Sequence, residues 1–365
     1  MPIIRCTRCG DSYPESGISF RCPKCGGVYD FDGPPDFDAN KIEPGLPGYW
    51  RYRHSFSLTE DAPIISLGEG RTPLIWMEER GQRVGLKMEH LNPTGSYKDR
   101  GSSVLLSQLA ARGATEAVED SSGNAGASFA AYAARAGIRA RVYVPESASG
   151  PKRTQIEQVG AELVGVPGPR SAAAEAVLKE AEKGIPYGSH AYLPFGLPGI
   201  ATIAYELWEE LGDVPGTVIA PVGHGGLLLG IVRGFTALRN AGLINQEPFY
   251  AAVQAANCAP MVAAAKNGMQ ALQDLQEAPT IAEGVRVRWP VRVDTLLNEM
   301  DPARRMILGI GEEKLLQAFH DLPRHGVHVE PTSALAWAAF QKNLGIFPEP
   351  VVIILTGSGL KSTIS

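Results

Sequence analysis

The stretch Leu91–Gly101, LNPTGSYKDRG, decides how the rest of the chain is read. Asn92, Pro93 and Gly95 are turn residues, and the run SSVLLSQLAARGA from Ser102 has the apolar spacing of a helix. The spacing therefore predicts Lys98 on a loop, with a helix starting near Gly101. A lysine in that position is partly desolvated and close to the positive end of a helix dipole. Both effects favour the neutral amine that covalent chemistry at a carbonyl needs. Taken alone, a lysine followed by Asp-Arg is more often a solvated surface charge, so its neighbours along the chain have to decide.

Three further segments bear on it. DSSGNAGAS, residues 120–128, lies between a short strand and an alanine-rich helix. Backbone amides at such a helix start form an anion site, and the hydroxyls of Ser121 and Ser122 add donors. The plain alternative is an ordinary helix N-cap at Asn124. APVGHGGLLLG, residues 220–230, follows the strand-like TVIAPV. Gly223, Gly225 and Gly226 let amides close around a phosphate, although the lysine and hydroxyl of a P-loop are missing. IILTGSGLKS, residues 353–362, is a buried strand that ends in a hydroxyl and glycines, and the carboxyl end of a strand is where α/β sheets bind ligands.

Around these segments short apolar runs alternate with helical stretches. The strands are expected at 140–144, 161–166, 217–222 and 351–355. The helices are expected in NAGASFAAYAARAG, SAAAEAVLKEAEKG and GIATIAYELWEELG, each stopped by glycine. That alternation is the signature of βαβ units and parallel sheets, an α/β fold. The length of 365 residues implies two lobes and an appendage. With 44% hydrophobic and 20% charged residues the chain has material for a sizeable core. A net charge of -5 excludes a chain-wide basic field for nucleic acid. No apolar run approaches the length of a membrane span, and MPIIRCTRCG lacks a signal-peptide apolar region, so a cytoplasmic protein without membrane partners is expected.

Four of the five cysteines, Cys6, Cys9, Cys22 and Cys25, lie in two CxxCG units, CTRCG and CPKCG, with 12 residues between Cys9 and Cys22. Two such knuckles present four thiolates tetrahedrally, which suits Zn2+. Four protein ligands leave no open position, so the site is expected to be structural. Cys258 stands alone. The proline- and aromatic-rich residues 34–62 read as a strap laid on a larger body, because Trp50, Tyr52 and Phe56 call for burial.

Together these segments resemble the fold type II pyridoxal-phosphate (PLP) enzymes, and most closely the threonine synthase family, some members of which carry an N-terminal zinc ribbon. The resemblance runs over nearly the whole chain through Asn92–Gly101, Ser121–Asn124, Val222–Gly226 and Thr356–Lys361. It extends to GYWRYR and to SLGEGRTPL at Ser66–Leu74. It implies that Lys98 holds PLP covalently and moves the α-proton. It implies that Asn124 hydrogen-bonds the cofactor's 3-hydroxyl, and that Val222, Gly223, His224, Gly225 and Gly226 hold its 5-phosphate. Thr356 would give its hydroxyl to the pyridine nitrogen, which suits elimination and replacement better than transamination. Ser121, Ser122 and Ala125 would line the site for the substrate carboxylate. The implied architecture is a zinc ribbon (1–33), the strap (34–62), a large PLP-binding lobe (63–100 and 191–365) and a small mobile lobe (101–190) that closes over the cofactor to exclude water. A homodimer is typical of the family. HVEPTSALAW, residues 328–337, resembles a late family element, with no catalytic role assigned to Glu330.

The implied reaction is O-phosphohomoserine plus water to threonine plus phosphate. Three departures bear on that substrate. The asparagine loop reads SSGNAGA and lacks two hydroxyls of the family pattern. The phosphate loop reads GHGG, closer to the dehydratases, as does IAEGVRVRWP at Ile281–Pro290. The family arginine that grips the substrate phosphate falls at about Gly196 in AYLPFGLPG. A glycine cannot replace a bidentate arginine. If phosphohomoserine is the substrate, its phosphate needs other partners, for which Lys87, Lys152, Arg153 and residues 186–190 are candidates. The alternatives are a threonine/serine dehydratase or another PLP-dependent β/γ-replacement enzyme. A zinc-ribbon binding protein carrying a silent fold is a further class, against which the intact Lys98, Asn124 and glycine loop count. His224 has no partner legible in the sequence and takes no assigned role.

Overall fold

The computed structural model describes residues 2–148 and 150–362. The chain divides into two units, residues 1–70 with 92–200, and residues 71–91 with 201–362. The divisions fall at 70/71, 91/92 and 200/201. The physical reason lies inside the first unit. Gly196 and Gly199 sit against the backbone of Gly101 and Arg100, so residues 191–200 pack on the helix that Lys98 begins.

In the first unit three parallel strands, Glu116–Glu119, Arg139–Pro145 and Glu162–Val166, pair in chain order. Helices Lys98–Ala111, Asn124–Ala136, Pro151–Gln158 and Arg170–Glu182 alternate with them. The helix Asn124–Ala136 forms because its alanines and Phe129 bury one face, and it stops where Gly137 takes a left-handed φ of 69°. The core of this unit joins Leu105, Leu106 and Leu109 to Ala127, Phe129, Tyr132, Val142 and Ile156. The strap is buried as its aromatics require: Tyr49, Trp50, Tyr52 and Phe56 are all 0% exposed. Trp50 Nε1 donates to Glu69 Oε1 at 2.8 Å, and Tyr49 hydroxyl to Arg100 O at 2.7 Å. These bonds meet the polar tips of rings whose bodies are apolar.

The N-terminal cysteine segment belongs to the same unit. Strands Ile4–Cys6 and Tyr29–Phe31 pair antiparallel. Tyr13 meets Phe195 edge-on at 5.3 Å, and the Arg112 guanidinium donates to the carbonyls of Pro14 and Gly17 at 3.1 Å each.

The second unit is built on a six-stranded sheet in the order Arg305–Ile310, Phe249–Ala255, Thr217–Pro221, Val351–Ile354, Gln82–Lys87, Leu74–Glu79. All neighbours are parallel except the last pair, a hairpin. Three of the four inner strands, Thr217–Pro221, Val351–Ile354 and Phe249–Ala255, are almost entirely buried, as strands covered on both faces must be. Among the described residues no helix is long and apolar enough to cross a membrane.

Candidate functional site

Lys98 is the first residue of its helix, which starts three residues earlier than the sequence suggested. The cause is Asp99. Its carboxylate, 0% exposed, accepts from Thr94 N at 2.7 Å, Thr94 Oγ1 at 2.5 Å and Ser128 Oγ at 2.6 Å. An acid in the first turn complements the helix dipole and fixes the preceding turn. The Lys98 ammonium lies 4.9 Å from the centre of the Tyr97 ring. Ser128 stands one turn into the helix that Asn124 opens, so the bond to Asp99 brings the lysine segment and the asparagine loop together.

That loop is shaped for an anion. Gly123, and not Asn124, is the N-cap of the helix Asn124–Ala136, and it makes no side-chain cap hydrogen bond. The first amides of a helix have no intrahelical acceptor, so they face whatever binds there. Gly126 is required by close approach, since a Cβ on it would lie 1.8 Å from Ser121 O. Ser121 is buried, and its Oγ accepts from Gly123 N at 3.2 Å. Ala125 is buried and Ser122 half-buried.

Two acidic residues that the sequence reading passed over precede this loop. Glu119, 1% exposed, accepts from Asp120 N at 2.8 Å. Asp120 Oδ1 accepts from the Tyr187 hydroxyl at 2.6 Å. Burial pushes the Glu119 carboxyl up, while the charges of Lys98 and Arg170 pull the other way. Burial, and then the Glu119 charge, push Asp120 up to about 6. The signal was present in the sequence: two acids in succession, Glu119 and Asp120, directly before SSGN.

Position 196 is filled by packing. A Cβ on Gly196 would lie 2.9 Å from Gly101 O and 3.1 Å from Gly101 Cα, so backbone stands where a side chain would start. Among the other candidate cations, Lys87 is 0% exposed and paired with Glu206 at 3.0 Å and Glu210 at 2.8 Å. Arg153 donates to Ala148 O at 2.9 Å and pairs with Glu157 at 3.4 Å.

In the second unit the glycine loop follows the strand Thr217–Pro221. Val222 N donates to Val253 O at 2.8 Å, which ends the ladder. Gly225 caps the helix Gly226–Asn240 with a left-handed φ of 97° and no side-chain cap hydrogen bond. Residues 284–292 back the loop: a Cβ on Gly223 would lie 3.1 Å from Gly284 O, and Arg292 N donates to His224 O at 3.0 Å. His224 Nδ1 accepts from Val291 N at 3.5 Å, a hydrogen-bonding role. The first amides of this helix have no intrahelical acceptor and no side-chain cap, an arrangement that suits an anion.

Thr356, 1% exposed, follows the strand Val351–Ile354. Its Oγ1 lies 3.0 Å from Ser333 Oγ and donates to Glu330 Oε1 at 3.2 Å, while its N–H donates to Ser333 Oγ at 2.9 Å. Gly357 leaves room for the Glu330 carboxylate, 2.4 Å from where its Cβ would be. Ser333 and Glu330 therefore join Thr356 in one polar cluster; the EPTSA element of the sequence was their only trace.

The four cysteine sulfurs lie within 4.8 Å of one another. Sγ–Sγ distances of 3.4 Å (Cys6–Cys25), 3.4 Å (Cys9–Cys25) and 3.7 Å (Cys9–Cys22) come close to the roughly 3.8 Å edge of a tetrahedron with Zn–S bonds of about 2.3 Å. Gly10 N donates to Cys6 O at 2.9 Å and Gly26 N to Cys22 O at 2.8 Å, closing each knuckle at its glycine. The donor set fits a closed tetrahedral metal site. Taken unit by unit, the Lys98 amine and the helix start at Asn124 suit a carbonyl and an anion in the first, and the helix start at Gly226 and the Thr356 hydroxyl suit a phosphate and a ring nitrogen in the second.

Residues 65–357 match the family model described as pyridoxal-phosphate dependent enzyme. The chain is 33% identical to a threonine synthase of Methanocaldococcus jannaschii, over 98% of this chain and 93% of that protein. It is 30% identical to a threonine synthase of Methanosarcina acetivorans, over 98% and 92%. Among solved structures it is similar to a threonine deaminase of T.th., with a TM-score of 0.63, 28% identity, and 81% of this chain and 94% of that one covered. It shares its fold with maize serine racemase, with a TM-score of 0.65, 22% identity and coverage of 79% and 88%.

Proposed function

This chain belongs to the pyridoxal-phosphate dependent enzymes of fold type II, in the threonine synthase family, and from that premise we propose that it converts O-phosphohomoserine and water into threonine and phosphate. The observation that carries the reading is similarity to threonine synthases along 98% of the chain. The protein is a PLP-dependent lyase acting on an amino acid. Bound PLP supplies an electron sink for the bonds broken at the substrate's carbon chain. The protein does the rest.

Lys98 is proposed to hold the cofactor and to carry the substrate's α-proton. Its place at a helix start, clamped through Asp99, keeps the amine in one position. Asn124 would take the cofactor's 3-hydroxyl. The amides of Val222, Gly223, His224, Gly225 and Gly226 would take its phosphate, and the Thr356 hydroxyl its ring nitrogen. Ser121, Ser122 and Ala125 would hold the substrate carboxylate at the second uncapped helix start. The four cysteines are proposed to hold a structural Zn2+ that orders the N-terminal segment.

A second reading, threonine/serine dehydratase, is favoured by one feature: the packing at Gly196, which leaves no room for the family arginine. One experiment separates the two. O-phosphohomoserine, threonine and serine are offered separately, and phosphate, threonine, 2-oxobutyrate and pyruvate are measured. Phosphate and threonine from the first substrate support the synthase; ketoacid from threonine or serine without phosphate release overturns it. Lys98→Ala abolishes both turnover and the visible absorption of the PLP-loaded protein. A variant that kept them would overturn the role of the lysine.

A further inference from the structure

The acids Glu119 and Asp120 and the neighbouring His190 have no part in the cofactor contacts proposed for Lys98, Asn124, the glycine loop and Thr356. Glu119 ends the strand Glu116–Glu119, and the chain runs on through Asp120 into the asparagine loop. A distant segment returns alongside this strand. Val118 N donates to Pro186 O and Gly188 N to Val118 O, both at 2.8 Å, so that Val118 and Tyr187 form a parallel bridge. Gly188 is compelled by this approach, since its Cβ would lie 2.4 Å from the Phe129 ring.

The pairing delivers Tyr187 and His190 to the carboxyl end of the strand, where α/β sheets place ligands. There Tyr187 binds Asp120, and His190 Nδ1 lies 3.5 Å from Glu119 Oε1. The Glu119 side chain is 2% exposed and that of His190 32%, so the carboxylate is shielded while the ring reaches the surface of the unit. The charged groups bearing on Glu119 are Asp120 beside it, Lys98 from the helix Lys98–Ala111, Arg170 from the helix Arg170–Glu182, and His190. The pair thus lies within the field of the lysine that carries the chemistry.

We propose that His190 is the acid–base residue for the leaving group and the incoming water, and that Glu119 is its positioning residue. The inference rests on the phosphohomoserine reading and deepens it. A carboxylate 3.5 Å from Nδ1 attracts the protonated ring and leaves Nε2 as the atom to exchange a proton with the substrate. As the carbon–oxygen bond to phosphate breaks, the oxygen leaves with the bonding electrons and takes the Nε2 proton. When water then adds to the carbon chain, its oxygen forms the new bond and its released proton returns to Nε2. One water is consumed, one phosphate is released, and His190 ends as it began; the carbon-bound protons travel on Lys98. The departing phosphate is thereby neutralised by a proton, in a chain where position 196 admits no arginine.

The test uses the PLP-loaded enzyme. In His190→Gln, kcat for phosphate release falls by about 100-fold or more, as expected for loss of a positioned proton donor, with KM changed by less than about fivefold. Exchange of the substrate α-hydrogen with D2O, and conversion of L-vinylglycine, which has no leaving group, to 2-oxobutyrate, stay within about threefold of wild type. Glu119→Gln loses about tenfold in kcat and moves the corresponding limb of the pH profile to lower pH, because the negative charge at Nδ1 is gone. A purely structural ion pair would not move that limb. Phosphate release by His190→Gln within about threefold of wild type overturns the proposal, as does equal loss of all three activities. If wild type releases no phosphate, the synthase reading fails and this inference falls with it. If wild type does and His190→Gln does equally, only the inference fails.

Discussion

Ser128 donates a 2.6 Å hydrogen bond to Asp99, across two helices of the same unit. It couples the helix that begins at Lys98 to the helix that begins at Asn124, and so sets two segments with different chemical duties in one frame. Asp99 is fully buried, and each hydrogen bond to such a charge contributes about 1.5–3 kcal/mol. Ser128→Ala is expected to lower unfolding stability by that amount. It is also expected to lower kcat with PLP still bound, as urea midpoints and steady-state rates on one preparation will check.

Restoring the family arginine is expected to fail. Gly196→Arg places a Cβ 2.9 Å from the Gly101 carbonyl oxygen, a backbone atom that cannot swing away. Overpacking of this kind costs about 1–3 kcal/mol. The variant should unfold at lower urea without a lower KM for O-phosphohomoserine. Gly101→Ala, whose Cβ would have its nearest neighbour at 3.6 Å, serves as the tolerated control.

Asp120 gives a pH signature. Its folded pKa is pushed up to about 6 from 3.8, so between those values the folded protein binds more protons than the unfolded one. Stability from this group therefore falls as pH rises through that window. Asp120→Asn removes the penalty and leaves an oxygen for the Tyr187 hydroxyl. Its stability gain over wild type should be small at pH 4 and grow to at most about 3 kcal/mol by pH 8, read from urea unfolding at each pH. A gain independent of pH would contradict the assignment.

The cysteine site predicts about one zinc per chain in wild type and none in Cys22→Ser, by elemental analysis. Because Tyr13 and the carbonyls of Pro14 and Gly17 pack on Phe195 and Arg112, metal loss should also lower the thermal midpoint of the first unit by several degrees. Unchanged melting after chelation would show that the segment orders without metal.

Much of the fold was legible because its signals are local. The strand Thr217–Pro221 and the helix Asn124–Ala136 lie within a residue or so of where apolar runs and a terminal glycine put them. The lysine helix starts earlier than its apolar spacing suggested because Asp99 is satisfied by Thr94 and Ser128, a pairing that only the fold supplies. Ser333 was missed because only folding lays the start of its helix beside the end of the strand Val351–Ile354, where it meets Thr356.

The sequence by itself determined the chemistry of the segments: a lysine in a turn-rich lead-in to a helix, two glycine-bearing loops at helix starts, and four thiols at metal spacing. These are properties of neighbours in the chain, written in residue type and period. Tertiary structure alone decided which groups share a hydrogen bond or exclude one another. It put Glu119 beside His190, closed position 196 with the backbone of Gly101, and gave Thr356 a carboxylate partner. Those outcomes depend on strand pairing and close packing between segments far apart in sequence, which no local pattern encodes.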